Sequence, residues 1–356
     1  MENNKVANAI ANGQYKPESL SVLQSYAEED PDPQVRHSAI QKITRYYRHD
    51  PQTLPWLKSL THSQDYEDIQ ETVVEVIATN YQNEPDTLPW LKSLLVGEGK
   101  NIGPNLQAIV VCTIAAYYTK EPDTLSWLKD CAKIAEDDTM LVRQAAISSI
   151  ADYYQDEPET LPWLKSCIRA EAFWGVNEAA IFSIVINYQE DEATLTWLKK
   201  KILSHQTPEI RKYGVMAIAE YYSQLPEILT LLKNCFWAET ESDTQVIIIQ
   251  ILSESWGKEA GMQEFFSHCA ILTQYDKVPE HGGEQNREEE DSLTQLLANS
   301  IAGMFVKNPR QAALEALFKH YSSQPQTKEI FQDRAENDVD ENVRHFALER
   351  LKLFKD

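Results

Sequence analysis

The side chains able to do chemistry are thinly spread along this 356-residue chain. Its five cysteines, Cys112, Cys131, Cys167, Cys235 and Cys269, are odd in number and form no C-x-x-C pair. That usage points to reduced thiols, not to disulfides or a structural zinc site. His268 beside Cys269 is the only His–Cys neighbour, and no third ligand lies close in sequence, so no metal site is assigned. The eight histidines form no H-E-x-x-H, and there is no G-x-S-x-G nucleophile elbow. The nearest approach to a phosphate loop, Gly97-Glu-Gly-Lys100, lacks both the loop length and the following Ser or Thr. Carboxylates are plentiful, but a run of them is ordinarily a solvated face unless two are paired and desolvated. No catalytic residue and no cofactor follow from the residues.

Charge narrows the choice of partners. Asp and Glu number 55 against 33 Lys and Arg, a formal net charge of −22. A field of that sign repels nucleic-acid phosphates and anionic lipid surfaces, both of which are held through Lys and Arg. No run of about 18 apolar residues offers a membrane span. The opening MENNKVANAIANGQYKPE has no basic stretch leading into an apolar one, so a cytoplasmic location is expected.

What organises the chain is a repeat. Asp50-Pro-Gln-Thr-Leu-Pro-Trp-Leu-Lys-Ser-Leu60 returns from Glu84 as EPDTLPWLKSL, from Glu121 as EPDTLSWLKDC and from Glu157 as EPETLPWLKSC. A looser copy, DEATLTWLKKK, starts at Asp191. Trp56, Trp90, Trp127, Trp163 and Trp197 mark these copies, 34, 37, 36 and 34 residues apart. Nine residues before each stands a tyrosine: Tyr47, Tyr81, Tyr118, Tyr154 and Tyr188. Twelve before each tyrosine comes an apolar residue with a polar follower: Val35-Arg36, Ile69-Gln70, Leu106-Gln107, Val142-Arg143 and Val176-Asn177. Weaker copies carry Ile210-Arg211, Tyr222 and Leu231, then Thr244-Gln245, Trp256 and Phe265, then Leu293-Thr294, Phe305 and Leu314. Gly13 with Val22 marks a partial first copy and Val343-Arg344 a final half.

Each copy reads as two helices. Val35, Ala39, Ile40, Ile43 and Tyr47 hold the i, i+3, i+4 spacing of a single buried face. Leu54, Trp56, Leu57 and Leu60 face inward on a shorter helix, where Pro55 fits only in the first turn. Thr53, Thr87, Thr124, Thr160 and Thr194 stand as N-caps of that helix. The tryptophan column is expected in the core between copies, as are Cys131, Cys167, Cys235 and Cys269, which share a position with Leu60 and Leu94. Arg36, Arg143, Arg211 and Arg344 share another, with Asp32 and Asp138 as candidate partners.

These landmarks resemble the HEAT repeat family: DPDPQVRHSAI from Asp30 matches its second helix and LPWLKSL its first. The resemblance spans nearly all 356 residues. It implies one all-α solenoid over 1–356, a right-handed superhelix of about eight to nine helix–turn–helix repeats. More narrowly, TLPWLK and YY-x-x-x-P resemble the arrays behind NACHT-type NTPase domains in bacterial, especially cyanobacterial, proteins. That likeness implies a sensor or scaffold with ATP handled elsewhere, since this chain has no G-x-x-x-x-G-K-[ST].

A non-catalytic scaffold holding a protein partner is the function this architecture suits. On the second helices, one side reads His37, Gln41, Arg45, then Glu71, Glu75, Thr79, then Ala108, Cys112, Ala116. Later copies read Glu178, Phe182, Ile186 and Lys212, Met216, Glu220. Cys112, Phe182, Ile186 and Met216 are accordingly candidates for an apolar stripe that receives a partner segment. Phe173, Trp174, Phe236 and Trp237, placed at turns, are further candidates. Residues 274–292 (QYDKVPEHGGEQNREEEDS) form an acidic insertion with loop composition. An alternative is a HEAT-like bilin lyase or chaperone of phycobiliprotein assembly, which also needs no recognisable motif. A HEAT-like DNA glycosylase is disfavoured by the charge.

Overall fold

The computed structural model describes residues 19–61, 67–95, 102–134, 139–169, 174–272 and 308–354. Those residues form 18 helices and, among them, no strand. The insertion at 274–292, together with Phe173, Asp138, Leu293 and Phe305, lies outside the described residues.

The chain divides into two compact units, Met1–Asn187 and Tyr188–Asp356. The first holds α1 (Leu20–Glu29), α2 (Pro33–Tyr46), α3 (Thr53–Leu60), α4 (Glu67–Asn80) and α5 (Thr87–Ser93). It continues with α6 (Pro104–Tyr117), α7 (Thr124–Cys131), α8 (Met140–Tyr153), α9 (Thr160–Cys167) and α10 (Trp174–Tyr188). The second holds α11 (Glu192–Ser204), α12 (Pro208–Tyr222), α13 (Pro226–Ala238) and α14 (Ser242–Trp256). After these come α15 (Met262–Ala270), α16 (Pro309–Tyr321), α17 (Pro325–Asn337) and α18 (Glu341–Leu351). Within the first unit α2, α4, α6 and α8 stack on one another in order, each flanked by the odd-numbered helix before it. Within the second, α12, α14, α16 and α18 do the same. The fold is an all-α solenoid of helical repeats.

One copy shows why the sequence folds this way. Asp32 caps α2 by accepting from the Gln34 N–H at 2.9 Å, and Pro33 opens the helix where its missing N–H costs nothing. Val35, Ala39, Ile40 and Ile43 are buried, and each large aliphatic contributes about 1.5–3 kcal/mol by leaving water. Tyr47 ends the helix, its N–H donating to Ile43 O. Two successive i→i−3 bonds then form the turn, Asp50 N–H to Tyr47 O and Thr53 N–H to Asp50 O. The same pair of bonds, 2.8–3.2 Å long, follows Tyr81, Tyr118, Tyr154, Tyr188, Tyr222, Trp256 and Tyr321.

That turn corrects the expectation for the threonines. Gln52, Asp86, Asp123 and Glu159 occupy the cap positions in helical conformation, and Thr53, Thr87, Thr124 and Thr160 are the first helical residues. Their side chains are turned inward and fully buried; Thr53 Oγ1 donates to Tyr47 O at 2.8 Å. Thr194 and Thr327 occupy the same buried place, and Ile228 and Met262 fill it in other copies.

Two further columns stitch copies together. The polar residue that opens each even-numbered helix bonds back to carbonyls of the preceding turn. Arg36 reaches Asp30 O, Gln70 reaches Thr61 O, Gln107 reaches Ile102 O and Arg143 reaches Ile134 O. Asn177 reaches Arg169 O, Arg211 reaches His205 O, Gln245 reaches Phe236 O and Arg344 reaches Asp338 O. The arginines also bond forward, though not to Asp32: Arg36 pairs with Asp68 at 2.5 Å and Arg211 with Glu239 at 2.6 Å. Three tyrosine hydroxyls tie their turn to the one before it. Tyr154 donates to Thr119 O, Tyr222 to Gln189 O and Tyr321 to Gly257 O, the last at 2.7 Å. The Tyr81 and Tyr118 hydroxyls are buried without a hydrogen-bond partner, and burial pushes the Tyr118 phenol up to about 12. Tyr321→Phe should therefore cost about 1 kcal/mol, whereas Tyr118→Phe should be neutral or slightly stabilising. Urea midpoints of the two variants give the comparison, and equal losses would contradict it.

The last copies fall in a different register from the sequence reading. Arg310, Tyr321 and Ile330 repeat the spacing of Arg211, Tyr222 and Leu231, and Pro325 stands where Pro226 stands. Leu314, expected on an odd-numbered helix, is instead a fully buried residue of α16. Among the described residues, α16 is the helix after α15 and packs on it.

Candidate protein-interaction surface

The side of the even-numbered helices singled out from sequence is in the main the solvent side. Gln41, Arg45, Glu71, Glu75 and Thr79 are exposed on α2 and α4. On α6 Cys112 is exposed between half-buried Ala108 and Ala116. On α10 Ile186 is 48 % exposed and Phe182 half-buried, while Glu178 beside them is buried. In the second unit Met216 is half-buried on α12 between Lys212 and exposed Glu220. The stripe is not continuous, however. Between α6 and α10 the same positions of α8 are Gln144, Ser148 and Asp152, and Asp152 Oδ1 accepts a hydrogen bond from Asn187.

The aromatic pair on α13 splits. Phe236 is fully buried, so it belongs to the core and not to a contact surface. It packs edge-on against Trp237 and Phe265, with centroids 5.0 and 5.4 Å away, in a helix whose C-terminal turn points one aromatic in and the next out. Trp237 is 48 % exposed and remains a surface candidate. Trp174 opens α10, and its side chain, like Phe173, lies outside the described residues.

The tryptophan column behaves differently from the core residues it was expected to join. Trp56, Trp90, Trp127, Trp163 and Trp197 are half-buried; Trp56 and Trp90 pack on the edges of buried clusters. Lysines lie on several of the rings: Lys58 Nζ is 5.1 Å from the Trp90 centroid, Lys92 5.3 Å from Trp127 and Lys129 5.8 Å from Trp163. Lys233 lies similarly 5.6 Å from Phe265. Each such contact is worth about 0.5–1 kcal/mol where water still reaches it. Burial holds the Lys58 ammonium below its usual range, against the opposing pull of Asp86. Sequence reasoning missed this ladder, although its signal was present: Lys58, Lys92, Lys129, Lys165, Lys199 and Lys233 each follow the column by two residues.

The reactive groups are arranged for stability. Burial raises the thiols of Cys131, Cys167 and Cys235, to about 12, 11 and 11, and that of Cys269 as well. Thiols so raised are poor nucleophiles. The Cys112 thiol is also raised by surrounding protein, offset in part by Ser149, although the residue itself reaches solvent. A Ser–His pair does occur: His320 Nε2 lies 3.1 Å from Ser253 Oγ, in a cleft of about 220 Å³ also lined by Glu254, Lys258 and Glu259. The imidazole sits so close to α14 that a Cβ on Gly257 would come within 2.4 Å of Nε2. Burial lowers the His320 pKa, with Lys319 acting in the same sense. Both residues stand near helix C-termini, where carbonyls project, whereas an oxyanion requires N–H donors. The pair is a clasp between α14 and α16, joined by the Lys319–Glu254 ion pair at 2.5 Å. Among the described residues no group of three or more His, Cys, Asp or Glu is placed to hold a metal ion.

Stacked helical pairs with constant internal stitching and a variable outer column define a helical-repeat solenoid. A family model described as HEAT repeats matches residues 6–102, the stretch that contains α1 to α5. No curated protein matches the chain. HEAT repeats generally serve as protein-interaction scaffolds. Among the described residues no helix is long and apolar enough to cross a membrane.

Proposed function

We propose that this chain is a non-catalytic scaffold that holds a protein partner, with the exposed column of the even-numbered helices as its contact surface. One observation carries the reading. The residues that stitch copies together keep their role along each unit, while the solvent column is polar on α2 and α4, small and apolar on α6, polar again on α8, and carries Phe182 and Ile186 on α10. Variation confined to one face is what selective recognition needs, since stability is supplied elsewhere. An exposed isoleucine beside a half-buried phenylalanine is the kind of anchor that an apolar partner segment covers. Its likeness to arrays that accompany NACHT-type domains supports a sensor role in a larger assembly, and its free cysteines support a cytoplasmic setting.

Ile186→Glu tests this. The side chain is half in water, so the variant should unfold within about 0.5 kcal/mol of the parent. A partner captured by the tagged parent chain from native lysate should be lost from the variant. Retention of the same partner at the same stoichiometry would remove α10 from the contact surface.

A further inference from the structure

Among the described residues, the rung at Trp56 in the ladder of lysines and aromatic rings carries no cation. On α3, α5 and α7 the lysine two places after the tryptophan position lies over the ring of the next copy, so Trp90, Trp127 and Trp163 are each covered. Trp56 occupies the same position on α3, and the helix before it is α1. Leu23 of α1 is the counterpart of Leu57, both fully buried, which makes Gln24 the counterpart of Lys58. A glutamine carries no charge to place on the ring, and among the described residues no cation lies over Trp56. The edge of this indole is prepared nonetheless: Trp56 Nε1–H donates to Glu28 Oε1 at 2.5 Å. Trp56, Gln24 and Glu28 are all half-buried, so the ring and the carboxylate remain within reach of solvent.

We propose that Trp56 and Glu28 form an open seat for a cationic side chain, a lysine or arginine on a basic segment of a partner protein. The chain itself displays the chemistry. Three rings at the equivalent position each hold an ammonium 5.1–5.8 Å from the centroid, and here no described residue supplies one. Glu28 adds a full negative charge at the ring edge, which strengthens the attraction for a cation in a partly desolvated place. A net charge of −22 draws basic segments towards the chain before any contact is made. The seat rests on the protein-binding reading, but it lies on α3, so its failure leaves the test at Ile186 untouched.

The experiment is a titration of the full-length chain, labelled with 15N at the tryptophan indoles, with a hexalysine peptide at low salt. Trp56→Phe assigns the Trp56 signal. The expected result is a saturable shift of the Trp56 indole N–H while those of Trp90, Trp127 and Trp163 stay in place. Gln24→Lys supplies the missing ammonium from within; it should keep the parent's thermal midpoint and lower peptide affinity about tenfold. Glu28→Gln should weaken the peptide as well. The proposal is overturned if the Trp56 signal does not move, if all indoles move together, or if Gln24→Lys binds hexalysine as the parent does.

Discussion

Arg310→Ala is expected to remove about 3–5 kcal/mol from the unfolding free energy of the second unit, because it takes the fully buried charge partner from a fully buried carboxylate. Arg310 Nη2 and Asp338 Oδ1 are 2.8 Å apart, and neither side chain has any exposure. The guanidinium also donates from Nη1 to Leu272 O at 3.0 Å, fixing the end of the turn before α16. Asp338 in turn accepts from the Asp340 N–H and lies 3.4 Å from Arg334 Nη1, so losing Arg310 leaves it only partly satisfied. The equivalent change at Arg36 should cost no more than about 1 kcal/mol, since the Arg36 and Asp68 side chains are 18 % and 32 % exposed. Urea unfolding followed by helical circular dichroism separates the two. A loss at Arg310 as small as that at Arg36 would mean that water reaches the pair, contrary to the burial described.

Phe236→Ala should be comparably severe, about 3–5 kcal/mol, because a fully buried ring leaves a cavity beside Phe265 and Trp237. Trp237→Ala, one residue further on, should cost only about 0.5–1.5 kcal/mol, the value of its edge contacts with Phe236 and Phe265. The adjacent pair therefore distinguishes core from surface within one helical turn. Equal thermal losses for the two variants would contradict the orientation of α13. If Trp237 also contributes to partner contact, Trp237→Ala weakens capture at nearly native stability, which Phe236→Ala cannot do.

Most of the fold was legible in the sequence because a repeat shows each position several times. Tyr47, Tyr81 and Tyr118 could be placed at helix ends from spacing alone, and the structure puts each at the C-terminal end of an even-numbered helix. The threonines were misread as caps because a hydroxyl ahead of a proline-bearing first turn is the ordinary sign of one. Here backbone bonds close the tight turn after the tyrosine, and the threonine points inward, donating in one copy to the Tyr47 carbonyl. The register after α15 was misplaced because Leu293, Phe305 and Leu314 are apolar at nearly the right spacing. The better signal was Arg310 followed eleven residues later by Tyr321 and then Pro325, the same pattern as Arg211, Tyr222 and Pro226.

The surface was less legible than the core. Helical periodicity groups residues on one face without saying whether that face is core or surface, and here Cys112 and Ile186 are exposed. Two neighbours on one turn, such as Phe236 and Trp237, differ by 100° about the helix axis, and composition does not say which points in. The lysines on the tryptophan rings were hidden for another reason. Their contacts join residues 32, 35 and 34 positions apart, so a single copy does not contain them.

The central claim, that the exposed column of the even-numbered helices in the first unit holds the partner, can be tested at Cys112. This thiol is exposed, whereas Cys131, Cys235 and Cys269 are buried, so alkylation of the folded chain should report chiefly on α6. The measurement is the rate of Cys112 modification by iodoacetamide, read by mass spectrometry, for the chain alone and with its captured partner. Contact along the column predicts measurable labelling of Cys112 in the free chain, slowed by its raised pKa, and at least about tenfold protection in the complex. An unchanged Cys112 rate in a saturated complex would place the partner elsewhere and contradict the account.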